Sequence, residues 1–191
     1  DLSIRTITLP NPPITTPLSM DNALIVGSEE GIYILNNFYE PYFMPIQGIK
    51  RLAGYDDKII ALGDYYLKIF SSINQSLINE FILPEPFGNI EPLIYTNSDR
   101  TTTMIFVMAD SGNLYRIYQN RLELIFQNHS SNAPGQLACT SLGNISPILF
   151  FGIGNNFYAI KADGTKLTDF PIVSLETVSN WESPMALKLD A

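Results

Sequence analysis

The chain has 191 residues, 46% of them hydrophobic and 16% charged, and a formal net charge of -8. It is too apolar to stay disordered, and its acidity argues against nucleic acid, whose phosphates demand a basic surface. Lys50-Arg51 is the only adjacent basic pair, and the longest apolar runs (104–109 and 148–153) fall far short of the roughly 18 residues of a membrane span.

Ten Tyr and eleven Phe, with no sustained apolar spacing of three and four residues, point to an all-β chain with little or no helix. Asp1 to Thr8 alternates like a strand, and four prolines follow between Leu9 and Pro17. That combination suits an outer strand running into a linker, because proline cannot donate to a ladder. The opening has no start methionine and none of the charged start or uninterrupted apolar core of a signal peptide.

From there one pattern recurs. Ala23 to Asn36 (ALIVGSEEGIYILN), Lys58 to Ser71 (KIIALGDYYLKIFS), Met104 to Gln119 (MIFVMADSGNLYRIYQ) and Ile148 to Ala162 (ILFFGIGNNFYAIKA) each show an apolar strand, a small or glycine-containing turn, and an aromatic in a second strand. The aromatics are Tyr33, Tyr66, Tyr115 and Tyr158. A proline opens the preceding strand in three copies, at Pro17, Pro92 and Pro134, and Pro184 opens another in SPMALKLDA. The fullest copy, Ala133 to Ile172, reads as four strands. These are Gln136 to Leu142, Pro147 to Gly152, Asn156 to Lys161 and Lys166 to Val173, joined by Gly-, Asn- and Asp-rich turns.

Repeats of about 40 to 50 residues, each worth four strands, are the signature of β-propeller blades. One such sheet cannot bury both of its faces, so neighbouring blades must pack on each other. The expected architecture is a partial β-propeller of about four four-stranded antiparallel blades, near 16–48, 49–90, 91–132 and 133–176. Residues 1–15 would be the outer strand of a preceding blade and 177–191 the start of a further one, so the chain reads as a segment of a longer propeller. Its open faces would associate with the rest of that chain or with each other.

The order Ala133-Pro134, Phe151-Gly152, Asn156-Phe157-Tyr158-Ala159-Ile160, Ala162-Asp163-Gly164 and Asp169-Phe170-Pro171-Ile172 resembles a blade of FG-GAP or VCBS-repeat propellers. These integrin-α-like propellers occur in secreted and cell-surface proteins, especially bacterial ones. The resemblance is good over these 40 or so residues, fair over Glu91 to Ile117 and Thr16 to Leu35, and weak in the second copy. It implies an extracytoplasmic location. Integrin-like members bind calcium through several carboxylates on alternate residues of the loop between the first two strands. The corresponding loops here are Ser141 to Asn144, Thr96 to Arg100 and Asp21-Asn22, with at most one Asp each. Calcium takes roughly six to eight oxygen ligands, so no metal is expected.

Residues that could carry chemistry are few. Cys139 is alone, which rules out a disulfide within the chain, and reads as a small buried thiol. His129, the single histidine, lies in the polar stretch Asn128 to Asn132 and reads as a solvated loop residue; a Cys/His zinc site or a Ser-His-Asp triad lacks the other members. The carboxylate pairs Glu29-Glu30 and Asp56-Asp57 could serve glycoside chemistry. They sit beside Gly31 and Gly54, however, and read as turn residues, as do Asp110-Ser111-Gly112 and Asp163-Gly164. Asn74-Gln75-Ser76, Asn128-His129-Ser130 and Asn144-Ile145-Ser146 match the N-glycosylation pattern, a triplet that arises readily by chance in a chain this rich in Asn and Ser and means nothing in a bacterial source. Tyr39 to Phe43 and Trp181-Glu182 offer aromatics that could bind sugar or protein or be buried between blades.

No catalytic, metal or cofactor residue is assigned, no ligand-binding residue is identified, and no cofactor is expected. The leading reading is a non-catalytic scaffold or interaction module that binds protein or glycan through loops at one end of the propeller axis. The alternative is part of a propeller enzyme or carbohydrate-binding protein, of the polysaccharide lyase or glycosidase kind, with its catalytic residues elsewhere.

Overall fold

The computed structural model describes residues 7–20, 23–36, 41–140, 146–168 and 172–173. These form sixteen strands and no helix. The first sheet contains β1 (Leu18–Met20), β2 (Ala23–Gly27), β3 (Gly31–Asn36) and β4 (Tyr42–Pro45). The second contains β5 (Ile49–Tyr55), β6 (Lys58–Gly63), β7 (Tyr66–Ser71) and β8 (Leu77–Ile82). The third contains β9 (Leu93–Thr96), β10 (Thr103–Met108), β11 (Leu114–Tyr118) and β12 (Arg121–Phe126). The fourth contains β13 (Pro134–Thr140), β14 (Ile148–Ile153), β15 (Asn156–Lys161) and β16 (Ile172–Val173). Each is an antiparallel meander in chain order. First strands of successive sheets, β1, β5, β9 and β13, neighbour one another and mark the axis.

The apolar runs in the second strands follow from burial on both faces. Alternate side chains of a strand point to opposite sides, so a strand covered on both sides reads as continuous hydrophobicity. In β6, Ile59 and Ala61 join Ile25, Ile32 and Met44 of the first blade, whereas Ile60 and Leu62 join Ile105, Val107 and Tyr115 of the third. In β10, Phe106 and Met108 turn the other way, onto Leu149, Phe151 and Ile160 of the fourth blade. Three apolar layers therefore stack four blades face to face. Outer strands are covered less and alternate: in β8 only Phe81 is buried, and in β12 only Phe126.

Polar pins reinforce the last layer. Arg116 of β11 donates to the Ala162 carbonyl of the next blade at 2.9 Å and to Glu123 on its own sheet. Aromatic rings lock the same junction, with Phe126 edge-on to Phe151 at 4.9 Å and Phe151 stacked on Tyr158 at 5.3 Å.

The opening prolines behave as their chemistry requires. Pro17 and Pro92 immediately precede β1 and β9, and Pro134 begins β13. The second blade has no such proline, and Gly48, at φ +73°, turns the chain into β5 instead. Gln119 and Asn120, both at positive φ, make the two-residue hairpin between β11 and β12.

The repeated tyrosines need one correction. All four lie in the third strand of their blades, and Tyr66, Tyr115 and Tyr158 pack on the layer shared with the preceding blade. By register, Val26 faces Tyr33, Val107 faces Tyr115 and Phe151 faces Tyr158, but the equivalent of these in blade two is Lys68 opposite Ala61. Tyr66 stands two residues nearer the hairpin, on the same face, where its hydroxyl donates to the Gln47 carbonyl at 2.6 Å.

The fourth blade also departs from expectation. Its outer strand is short, Ile172–Val173 against Asn156 and Phe157, while Lys166 makes an isolated bridge to Ile160. Asp169 to Pro171 lie outside the described residues, as do Asp1 to Thr6, Tyr39-Glu40 and Trp181.

Candidate interaction site at the mouth of the axis

The sheet order puts the starts of all four first strands at one end of the axis. There a cavity of about 430 Å³ is lined by Ile14 and Thr16 of blade one, Arg51 of blade two, Asn89 and Glu91 at the entry to blade three, and Gln136 of blade four. Two matched irregularities aim its side chains. In β5 the pairing passes from Ile49–Gly63 to Arg51–Leu62, leaving Lys50 as the extra residue. In β13 it passes from Pro134–Ile153 to Leu137–Phe151, so that Gly135 and Gln136 share one partner position. A bulge of this kind displaces one side chain and terminates regular pairing, and it is how strands re-aim residues beside sites.

Hydrogen bonds hold the lining in place. The Arg51 guanidinium donates to the carbonyls of Lys50 at 2.9 Å and Asn89 at 3.2 Å. Thr16 Oγ1 donates to Glu91 at 3.2 Å, joining the residues immediately before Pro17 and Pro92 at the starts of blades one and three. Around them, the connector from β8 to β9 is stitched to both neighbouring hairpins. Leu83 N–H donates to the Tyr65 carbonyl, Phe87 N–H to that of Asp64, and Asp110 N–H to that of Pro86.

Glu85 is the latch of this connector. It accepts from Tyr115 Oη at 2.5 Å, from Asn113 Nδ2 at 2.9 Å, and from Ser111 Oγ. Burial raises its pKa, but the bonds from Ser111, Tyr115 and Asn113 outweigh burial and hold the carboxyl below the ordinary glutamate value. A depressed native pKa stabilises the fold above the unfolded value of about 4.3, and that gain is lost as pH falls through the native value. Glu85→Ala should therefore cost about 2 to 3 kcal/mol at pH 7, since bonds to a charged acceptor are the strong ones. Urea midpoints at pH 7 and pH 3 test this: the gap between wild type and variant should narrow at pH 3. An equal gap at both values would show that the carboxylate charge is not what holds the connector.

Charge differs between the two ends. The cavity end carries Glu29, Glu30, Asp64, Glu85, Glu91 and Asp110, with Lys50 and Arg51 as cations. Turns at the opposite end carry Asp56, Asp57, Asp99 and Asp163 alongside Lys58, Arg100, Arg121 and Lys161. Several of these pair locally: Lys58 with Asp57 at 2.9 Å, and Arg100 with Asp56 at 4.0 Å. Among the described residues, therefore, charges at that end balance, while the cavity end, where Lys50 pairs with Asp64 at 3.6 Å, keeps a negative excess.

The residues weighed from sequence are dispersed. Glu29-Glu30 and Asp56-Asp57 fall at opposite ends of the axis, in the β2–β3 and β5–β6 turns. Asp99 Oδ1 is occupied by Thr101 through its amide and hydroxyl, and Asp163 Oδ1 by the Thr165 amide. Among the described residues no three of His, Cys, Asp and Glu gather as a metal would need. His129 is exposed in the β12–β13 connector. Cys139 is half-buried against the layer between blades three and four, and burial pushes its thiol pKa up. Tyr42 and Phe43 are partly exposed, and Phe43 leans on Tyr33 with centroids 4.9 Å apart.

That pair belongs to a second cleft, of about 490 Å³, formed with Thr8, Pro10, Asn11, Glu30 and Pro41. It lies on the side of blade one away from blade two. Pro13 and Ile14 run along the edge of β2, with Ile14 N–H donating to the Gly27 carbonyl at 2.8 Å, whereas Thr8, Pro10 and Asn11 line this side, with Asn11 Nδ2 donating to Glu30 at 2.8 Å. Beneath them Val26 and Tyr33 are buried. Val26 and Tyr33 hold the register that Val107 and Tyr115 hold against a preceding blade. The axial cavity, by contrast, draws on residues of all four blades.

No family model and no curated protein matches the sequence. Solved structures do match the fold. BBS1N, crystallised in complex with ARL6DN, superposes with a TM-score of 0.63 at 13% identity, over 87% of this chain and 55% of that one. Hsv2 from Kluyveromyces lactis gives 0.54 at 9% identity, over 76% and 55%. A Bacteroides thetaiotaomicron protein of unknown function gives 0.52 at 11%, over 81% and 42%. The chain spans about half the length of these structures. With the sheet order and the three inter-blade layers, they place the described residues as four consecutive blades of a β-propeller.

Proposed function

We propose that this chain is a non-catalytic interaction module that docks a protein partner on the cavity end of its axis. The observation that carries this reading is the mouth itself: four blades supply one lining, two of them through matched bulges, on a connector braced to both neighbouring hairpins. A braced surface loses little conformational entropy when a partner binds. Excess carboxylates around it fit a partner with a basic patch, which complementary charge would steer and orient. BBS1N, a structure of similar fold, was crystallised with a protein bound.

Glycoside chemistry finds less support. It needs two carboxylates flanking one bond, and the cavity offers Glu91 beside a guanidinium. A larger propeller of the FG-GAP or VCBS-repeat kind, secreted or displayed at the cell surface, is the setting we assign to the module. Blades near 16–48, 49–90, 91–132 and 133–176 would form part of it. The 133–172 motif order supports that setting, and fractionation of the native host would test it by finding the chain outside the cytoplasm.

A photo-reactive residue replacing Gln136 or Asn89 should cross-link a captured protein, and one replacing Arg100 at the far end should not. The triple variant E29K/E30K/D110K should weaken that capture at least tenfold at low salt, with little effect from D56K/D57K/D99K. Equal cross-linking from both ends, or equal effects of the two triple variants, would overturn the assignment.

A further inference from the structure

Two of the three N-x-S triplets lie among the described residues, and the structure separates them. Asn74 sits in the loop between β7 and β8, with its side chain exposed. Its Oδ1 accepts from the Ser76 amide at 3.1 Å and from the Ser76 hydroxyl at 2.7 Å. Asn128, in the connector after β12, has the same arrangement, with its Oδ1 accepting from Ser130 N at 3.0 Å and Ser130 Oγ at 2.9 Å. The two differ at the nitrogen. Asn128 Nδ2 spends its hydrogens on the carbonyls of Ser111 at 2.7 Å and Ser130 at 3.0 Å, and the residue is half-buried. Its nitrogen also packs on the β10–β11 turn, 2.8 Å from where a Cβ on Gly112 would lie. Among the described residues no group holds Asn74 Nδ2.

We propose that Asn74 is the acceptor of an N-linked glycan in the folded chain and that Asn128 is not. The step needs two co-reactants, an oligosaccharyl transferase and a lipid-diphosphate-linked oligosaccharide. A bond forms from Asn74 Nδ2 to the anomeric carbon of the sugar, and the bond from that carbon to the diphosphate oxygen breaks. The lipid diphosphate leaves with the bonding pair, and the Nδ2 proton passes to a base of the transferase. A carboxamide nitrogen attacks poorly because its lone pair is shared with the carbonyl. Loss of the proton puts negative charge on the oxygen, and donors aimed at that oxygen stabilise the form in which nitrogen is nucleophilic.

At Asn74 both donors come from Ser76 and the residue is exposed. The loop is held in this shape from within. Gln75, at φ +56°, folds its carboxamide back to donate to the carbonyls of Ser72 at 3.2 Å and Ile73 at 3.1 Å. Gln75 N–H also donates to the Ser71 carbonyl at 3.0 Å. Asn128 could react only by giving up both hydrogen bonds of its nitrogen, of which the one to Ser111 ties the connector to the β10–β11 hairpin. The inference is independent of which end of the axis binds a partner.

The test uses the full folded chain with a transferase, a lipid-diphosphate-linked oligosaccharide, and an unstructured tag bearing its own N-x-S triplet as internal standard. Occupancy is read by mass from the peptides holding Asn74 and Asn128. Asn74 should be occupied and Asn128 at least tenfold less so. Asn74→Gln and Ser76→Ala should each remove the Asn74 glycan, while Asn128→Gln leaves it. Unfolding in urea before reaction should raise Asn128 towards Asn74. Circular dichroism checks that each variant folds, and Ser76→Ala tests the same site without touching the acceptor. Glycan on Asn128 in the folded chain at a level like Asn74, or an occupied tag with Asn74 bare, would overturn the proposal.

Discussion

Phe151→Ala should destabilise the chain by about 3 to 5 kcal/mol, the usual cost of emptying a large aromatic site in a packed core. Phe151 is fully buried in β14, where it meets Phe126 and Tyr158 and joins the layer between blades three and four. Its ring fills space shared by two sheets, and neither can collapse into the void without losing register with its own neighbours. Domains of this size hold only about 5 to 15 kcal/mol in total, so one such loss removes a large share. Phe43→Ala is the control: that residue is 37% exposed on the outer side of blade one, and its loss should cost about 1 to 2 kcal/mol. Denaturant midpoints followed by far-UV circular dichroism compare the two. Similar losses would mean that the layers between blades are not the main source of stability.

Gly164→Ala comes second. Gly164 lies in the turn after β15 at φ +87°, and a Cβ built there would stand 2.3 Å from the backbone oxygen of Ile125 in β12. Two costs combine. An L side chain in the left-handed region loses about 1 to 2 kcal/mol, and overpacking against an atom that cannot rotate away adds about 1 to 3 kcal/mol. A total near 3 kcal/mol is expected. Gly48 separates the causes, because it has φ +73° with nothing within 4 Å of its added Cβ. Gly48→Ala should therefore show the backbone cost alone, about 1 kcal/mol. If the two variants lose the same stability, blades three and four do not approach each other closely at this turn.

Several features of the fold can be read from the chain because they are local. The KIIALG, TMIFVM and ILFFGI runs announce strands covered on both sides, and LINEFI announces an outer strand covered on one. Pro17, Pro92 and Pro134 mark the blade starts because a proline must sit where no ladder donor is needed. The tyrosine repeat was legible as a strand position but not as a register. Tyr66 and Lys68 lie on the same face of β7, and composition does not tell which of them stands opposite Ala61.

The mouth of the axis was not legible. Arg51 and Gln136 reach it because β5 and β13 each admit an extra residue, a displacement that leaves no mark in residue type. Glu85 reads as one acidic residue between two prolines, yet its partners lie 26 to 30 positions downstream. Likewise Asn74 and Asn128 share a three-residue pattern and differ in burial and in whether carbonyls claim the nitrogen.

The amino-acid order by itself determined which segments become strands, where they turn and which of them need cover on both sides, since alternation and turn chemistry act over a few residues. Only the tertiary structure decided which side chains share the axial mouth and which end keeps its negative charge. Those outcomes depend on stacking angle and on one-residue shifts in pairing, and both are settled between sheets that meet only when the blades pack.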